Sequence, residues 1–470
     1  MVGGDRLKIR IGLAALLALC ACAQSASSPP PTQPRTLNGN LGRASYAIEV
    51  PAHWNGTLFL YSHGYVAPGQ ANGAVDAPGP DVASWMLGQG YAVAGSSYSS
   101  TGWAVEEALQ DQVALLDHFA TAVGRPKRTI AWGHSLGGII TAGLVQLHPD
   151  RFAGAIPMCG VLAGSVATWN QALDGAYAFK TLLAPTSALQ LVHIADPVAN
   201  LQLAGQLAAA AGGTPAGQAR LALAAAVGDL PGWFDPASPE PAPDAYVARA
   251  AAQALWDSRV DFAYAFGARA EVEKRAGGNP SWNAGVDYRR LLDQSIDRDE
   301  VNALYRTAGL DLERDLAALD AGATIKPDPG AVAYLQRNVV FDGRLKVPVL
   351  TLHTSGDGLV VPEQETAYAA TVSAAGGGAL LRQAFVHRAG HCAFTEAETI
   401  AAAQVMIQRL DRGAWDDAAL APAALNQKAA ALGGRYAAAF TGATAPPAFF
   451  SWPASPFLRP FDTNSQPPAA

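Results

Sequence analysis

Charged residues are few in this 470-residue chain: Asp, Glu, Lys and Arg make up 15% of it, and their balance is −7. No run of like charges forms an acidic or basic tail. Nucleic acid binding needs a basic face, so nucleic acid is excluded as a partner. Disorder is excluded too, because half of the residues are hydrophobic. No internal repeat is present. The apolar run IGLAALLALC at 11–20 is too short for a membrane span. Cysteine is scarce, with four in the chain: Cys20, Cys22, Cys159 and Cys392.

The N-terminus reads as an address. Arg6, Lys8 and Arg10 precede the apolar run, and small residues and the stretch AQSASSPPPTQP follow it. A basic segment, a short apolar segment and small residues make a secretory signal peptide over residues 1–22. Two processing routes stand. Leu19-Cys20-Ala21-Cys22 is similar to a bacterial lipobox, which would leave Cys22 lipidated; alternatively Ala21-Cys22-Ala23 is an A-x-A site that releases a secreted protein. Residues 23–40 are expected to form a Ser/Pro-rich tether. Lipidation would be the protein's one route to a membrane. Export also makes Cys159 and Cys392 candidates for a disulfide, the other reading being two buried thiols.

Downstream, strands and helices alternate. GTLFLYSHG (56–64) and GYAVAGSSYS (90–99) read as strands, and residues 105–124 carry apolar positions at helical spacing before Gly124. RTIAW (128–132) is a strand, residues 135–149 an apolar helix, and FAGAIPMCG (152–160) another strand. Such alternation predicts a parallel sheet covered on both faces. From 161 to 345 it stops. Ala-rich helical stretches take over, broken at 231–244 and 277–283, with long helices expected over 245–275 and 288–321. Strand and helix signals resume at 346–411. The reading is a core of residues 41–160 and 346–411, a helical cap at 161–345, and an Ala/Pro/aromatic extension at 412–470 strapped over the surface.

The chemistry begins at Gly133-His134-Ser135-Leu136-Gly137. A strand enters it and an apolar helix leaves it, the strand–turn–helix that exposes a nucleophilic serine. A serine hydroxyl needs a base, and the base an orienting acid. Asp357 follows the strand VPVLTLHTSG in a glycine turn, and His391 follows the next strand after Gly390. His387 competes as the base and Asp342 as the acid, but the first sits in the strand body and the second before its strand. His387 and His391 are four apart, a metal-pair spacing on a helix, yet a strand end and Gly390 lie between them. No metal is expected. Donors for an oxyanion are the N–H groups of Leu136 and Tyr65, the latter in the loop His63-Gly64-Tyr65 after an early strand. His63, Gly64 and the cap's Trp169 are candidate substrate contacts. His353 is assigned a structural or surface role.

G-H-S-L-G at 133–137, H-G-Y at 63–65, D-G-L-V-V-P at 357–362 and G-H-C at 390–392 together resemble the α/β-hydrolase superfamily. The likeness covers roughly 44–160 and 346–411. It implies a mostly parallel sheet flanked by helices, with the cap inserted after the strand that follows the nucleophile helix. His391-Cys392 is similar to tannase and feruloyl-esterase relatives, in which a disulfide links the neighbourhoods of nucleophile and base. The resemblance implies an exported serine hydrolase that cleaves small carboxylic esters through an acyl-enzyme, without a cofactor. An amidase or peptidase with the same triad is the alternative, and an inactive binding protein the contrasting class. The cap is expected to be a lid over Ser135, or else an oligomerisation module pointing away from it.

Overall fold

Apolar runs at residues 57–62, 128–134 and 154–158 are buried along nearly their whole length and form the centre of one sheet. The computed structural model describes Met1 and residues 33–439 and 442–468; the rest of the signal segment, Cys22 included, and residues 23–32 lie outside the described residues. Nine strands make the sheet: β1 (Arg35–Leu41), β2 (Ala44–Val50), β3 (Thr57–Ser62), β4 (Ala92–Ser96), β5 (Arg128–His134), β6 (Gly154–Met158), β7 (Val349–Gly356), β8 (Leu381–Ala389) and β9 (Phe449–Phe450). Their order is β1-β2-β4-β3-β5-β6-β7-β8-β9. From β4 to β8 all neighbours are parallel, while β1, β2 and β9 pair antiparallel.

Strand alternation sorts the core into two layers. Leu58 and Leu60 face the helices Val105–Ala122 and Leu136–Leu147. Phe59 and Tyr61 face the helices Pro80–Gly88 and Glu396–Arg412. A large apolar side chain buried this way contributes about 1.5–3 kcal/mol. This is the α/β-hydrolase fold, with both sheet faces covered as parallel strands require.

Between β6 and β7 the regular elements are all helices, joined by loops. The insertion has its own core, built on residues such as Leu173, Phe179, Leu223, Phe266, Tyr288 and Leu316. Local chemistry sets its helix starts. Asp196 and Thr214 each cap a helix that opens with proline, the side-chain oxygen accepting first-turn N–H groups.

Three expectations need correcting. Residues 35–40, assigned to the tether, belong to β1, which pairs with β2 over seven registered positions from Arg35↔Val50 to Leu41↔Ala44. Only Leu37 and Leu41 of this edge strand pack on the core, so its polar composition hid it. The expected helix at 288–321 is three helices, Tyr288–Gln294, Arg298–Ala308 and Leu312–Gly322. The chain turns extended at Ser295 and left-handed at Gly309. The extension beyond 412 is more than a surface strap. It adds a helix at Pro422–Ala430 and the edge strand β9, and it buries Phe457, Leu458 and Phe461. The segment at 245–275 is helical as expected, but residues 257–261 and 263–268 are wound as π-helix.

Candidate active site

Ser135 stands between β5 and the helix Leu136–Leu147 with φ 58° and ψ −123°. A non-glycine residue rarely occupies that region, and such strain concentrates at functional sites. The glycines beside it are obligatory. A Cβ on Gly137 would lie 1.9 Å from the Ser62 carbonyl oxygen, and one on Gly133 2.4 Å from the same atom. A Cβ on Gly138 would lie 2.3 Å from the Gly160 Cα. Close packing of helix, β3 and the end of β6 therefore demands bare backbone at all three.

The side chains named as base and acid converge on Ser135. His391 Nε2 lies 2.7 Å from Ser135 Oγ, and His391 Nδ1 lies 2.7 Å from Asp357 Oδ2. Asp357 is fully buried; its Oδ1 accepts the N–H groups of Leu359 and Val360, both at 3.0 Å. Burial alone would raise its pKa, but the His391 charge and the bonds to His353 and His391 outweigh that and lower it. The rivals fall elsewhere. His387 is 44% exposed, beside Glu240 and the ring of Trp233. Asp342 accepts the backbone N–H of Arg344 at 2.9 Å.

Cys159 and Cys392 form a disulfide with Cα atoms 5.3 Å apart. It joins the residue after β6 to the residue after His391, and Cys392 Sγ lies 3.3 Å from His391 Nε2. These two sulfurs and the imidazole form a cluster of potential metal-ligand atoms within 4.8 Å of one another. A sulfur held in a disulfide is not the thiolate a metal needs.

Leu136 opens its helix, where first-turn N–H groups have no intrahelical acceptor. Gly64 approaches from the β3 loop so closely that a Cβ on it would lie 3.3 Å from Ser135 Cβ. Tyr65 and Leu136 both line the cavity beside Ser135. His63 does not. Its ring stacks on Tyr98 at 4.0 Å and its Nδ1 meets the Gly64 carbonyl oxygen at 2.8 Å, so it shapes the loop. The expected substrate contact by His63 is thereby corrected to a turn-forming one, because burial against Tyr98 holds the ring away from the cavity.

Core and cap share that cavity of about 90 Å³. Trp169 lines it from the cap, its ring flanked by Trp103 at 5.4 Å and by the buried Arg269 guanidinium at 5.3 Å. Tyr264 of the cap touches Tyr65 at 5.4 Å. Trp282 packs on Phe461 and is not among the lining residues.

Sequence reasoning missed two groups here. His353 is fully buried and bridges acids: its Nδ1 lies 3.0 Å from Glu365 Oε1 and its Nε2 3.6 Å from Asp357 Oδ2. Burial alone would lower its pKa, but the two carboxylates prevail and raise it to about 10. Its place on alternate β7 positions with Thr351, which also bonds Glu365, was the available signal. Asp257 and Asp261, on the π-helical segment, line the cavity; no local pattern distinguished them from exposed helix carboxylates.

Residues 38–359 match a tannase-like family of unknown function, DUF6351. An o-phthalyl amidase of Xanthobacter agilis is 32% identical over 405 residues, which cover 79% of this chain and 86% of that protein. Among solved structures, an esterase from Aspergillus oryzae covers 81% of this chain and 80% of its own, at 14% identity and a TM-score of 0.38. Feruloyl esterase B from Aspergillus oryzae covers 81% of each chain at 16% identity and a TM-score of 0.35. Among the described residues no helix is long and apolar enough to cross a membrane.

Proposed function

The chain belongs to the tannase-like family DUF6351 and is a hydrolase of the α/β fold, and from that premise we propose that it cleaves carboxylic esters through an acyl-enzyme on Ser135. One observation carries the reading: the unbroken relay of 2.7 Å contacts from Ser135 Oγ through His391 to Asp357. His391 Nε2 takes the hydroxyl proton as Oγ bonds to the acyl carbon. Asp357 keeps Nδ1 protonated and stabilises the imidazolium. The amides of Leu136 and Tyr65 receive the oxyanion. The imidazolium then gives its proton to the leaving alkoxide. Water, deprotonated by the same nitrogen, releases the acid and restores Ser135.

The cap, in this reading, is a lid that excludes water from the cavity and sets which acyl groups enter. Gly64, Trp169 and the aromatic wall around it supply substrate contacts. The Cys159–Cys392 disulfide supports an oxidising compartment, in keeping with export by the N-terminal segment. Amide hydrolysis is the second reading, favoured because the Xanthobacter agilis relative is named an amidase.

The test is labelling of the purified protein with a fluorophosphonate, followed by turnover of matched aryl esters and anilides. Ser135 should carry the label. Ser135→Ala should lose it and lower kcat by several orders of magnitude, on the order of 10⁴ or more, with the fold intact. Asp357→Asn should cost on the order of 10²–10⁴. Retention of most activity in Ser135→Ala would overturn the nucleophile, and anilides turned over as fast as esters would favour the amidase.

A further inference from the structure

The cavity beside Ser135 is lined by two acidic residues for which hydrolysis has no use. Asp257 and Asp261 stand four residues apart on the π-helical stretch and both line the cavity. Asp257 is 8% exposed. One carboxyl oxygen of each, Oδ2, is fully buried and has no hydrogen-bond partner. Leaving such an oxygen unpaired costs about 1–3 kcal/mol, more for a charged group, so a protein does not bury two without a reason. π-helical turns are themselves costly and recur at functional sites.

Nothing in the cavity wall answers these acids. No lysine, arginine or histidine is among its lining residues. The other walls are mostly aliphatic, and Phe262, Tyr264, Trp103 and Trp169 bring aromatic rings to the same space. Nearby, Asp357 adds a third negative group whose charge reaches Asp261. An unpaired acid pair, aromatic faces and the absence of a counter-charge define one ligand chemistry. A cation pairs with the oxygens as they ionise and lies favourably against ring faces.

We propose that Asp257 and Asp261 form a subsite for a cationic nitrogen, an ammonium group carried by the ester or amide substrate. The inference rests on the reading of this cavity as the substrate site and names the class of substrate: small aryl or alkyl acyl compounds bearing a protonated amine. Burial agrees with it. Desolvation raises Asp257 to about 8 and moves Asp261 the same way, so the empty subsite holds neutral acids that an arriving cation returns to the charged form.

Isothermal titration calorimetry with three isosteric ligands tests this without any turnover. Benzylamine as its ammonium ion, benzyl alcohol and benzoate place a cation, a neutral donor and an anion on the same ring. The ammonium should bind at least tenfold more tightly than the alcohol, with benzoate weakest. Asp257→Asn combined with Asp261→Asn should remove that preference. Equal or tighter binding of the alcohol would replace the cation by a neutral hydroxyl as the recognised group. Tighter binding of benzoate would mean that the protonated acids receive a carboxylate. Either result, or no preference for the ammonium, overturns the proposal in the wild-type protein itself. Fluorophosphonate labelling of Ser135 separates this failure from failure of the hydrolase reading.

Discussion

The Gly358 backbone lies directly beneath the indole of Trp256: a Cβ built on Gly358 would sit 2.2 Å from the ring's Cδ2. The residue after the buried acid Asp357 thus touches the residue before Asp257, and the cap is seated on the acid loop itself. Gly358→Ala should force Trp256 away, since that part of the ring has no flexible end. Overpacking of this kind costs about 1–3 kcal/mol. A thermal melt should show the loss, and kcat/KM for large esters should fall more than for an acetate. Unchanged values for both would mean that the indole shifts freely.

Cys159 and Cys392 are 233 residues apart in sequence, and both adopt positive φ (42° and 53°) beside the strained Ser135. Closing so long a loop stabilises by up to about 5 kcal/mol in the chain-entropy model. The double variant Cys159→Ser/Cys392→Ser should melt well below the wild type. Because Cys392 holds the His391 loop, kcat should fall more than KM rises. An equal melting temperature would show that the bridge adds nothing to the fold.

His353 is charged between two buried carboxylates, and removing one partner of such a group costs about 3–5 kcal/mol. His353→Gln should therefore be strongly destabilised. The sign in pH follows from a pKa raised from 6.5 to about 10. The stabilisation is fully present below pH 6.5 and is lost as pH rises towards 10. Melting curves of the two proteins should diverge at pH 6 and approach one another by pH 10; a constant gap would mean a neutral His353.

Asp257 has the same sign in pH but the opposite effect on removal. Its pKa rises from 3.8 unfolded to about 8 folded, so the wild type loses stability as pH climbs through that window. Asp257→Asn removes the ionising group. The variant should match the wild type near pH 4 and exceed it by pH 8, as expected where stability is given up for a binding group. Parallel melting curves from pH 4 to 8 would contradict an acid kept neutral by burial.

What could be read from the sequence follows from how local each signal is. Ser135, Asp357 and His391 each follow an apolar strand and have a glycine within two residues, so residues within a few positions mark them. The β1 strand escaped because an edge strand with one face in water needs few apolar side chains. His353 and the acid pair escaped for another reason. Asp257 is followed by polar Ser258 and Arg259, as on any surface helix, and its burial is a tertiary effect that these neighbours do not show. Periodicity found the helices of the cap but not their breaks at Ser295 and Gly309, which depend on single residues.

The whole cap occupies one crossover, between the adjacent strands β6 and β7. Any right-sized connection would let those two strands pair, so the insertion is an exchangeable cassette. A graft from a relative could assign a new substrate range to the same Ser135, Asp357 and His391. It would have to respect several seams. Trp256 sits on Gly358, Trp169 on Trp103, and Arg275 pairs with Glu107. Another is the C-terminal segment, where Arg459 pairs with Asp174 and Phe461 packs on Trp282. A transplanted cap must therefore travel with the chain's last sixty or so residues, although these lie outside the crossover altogether.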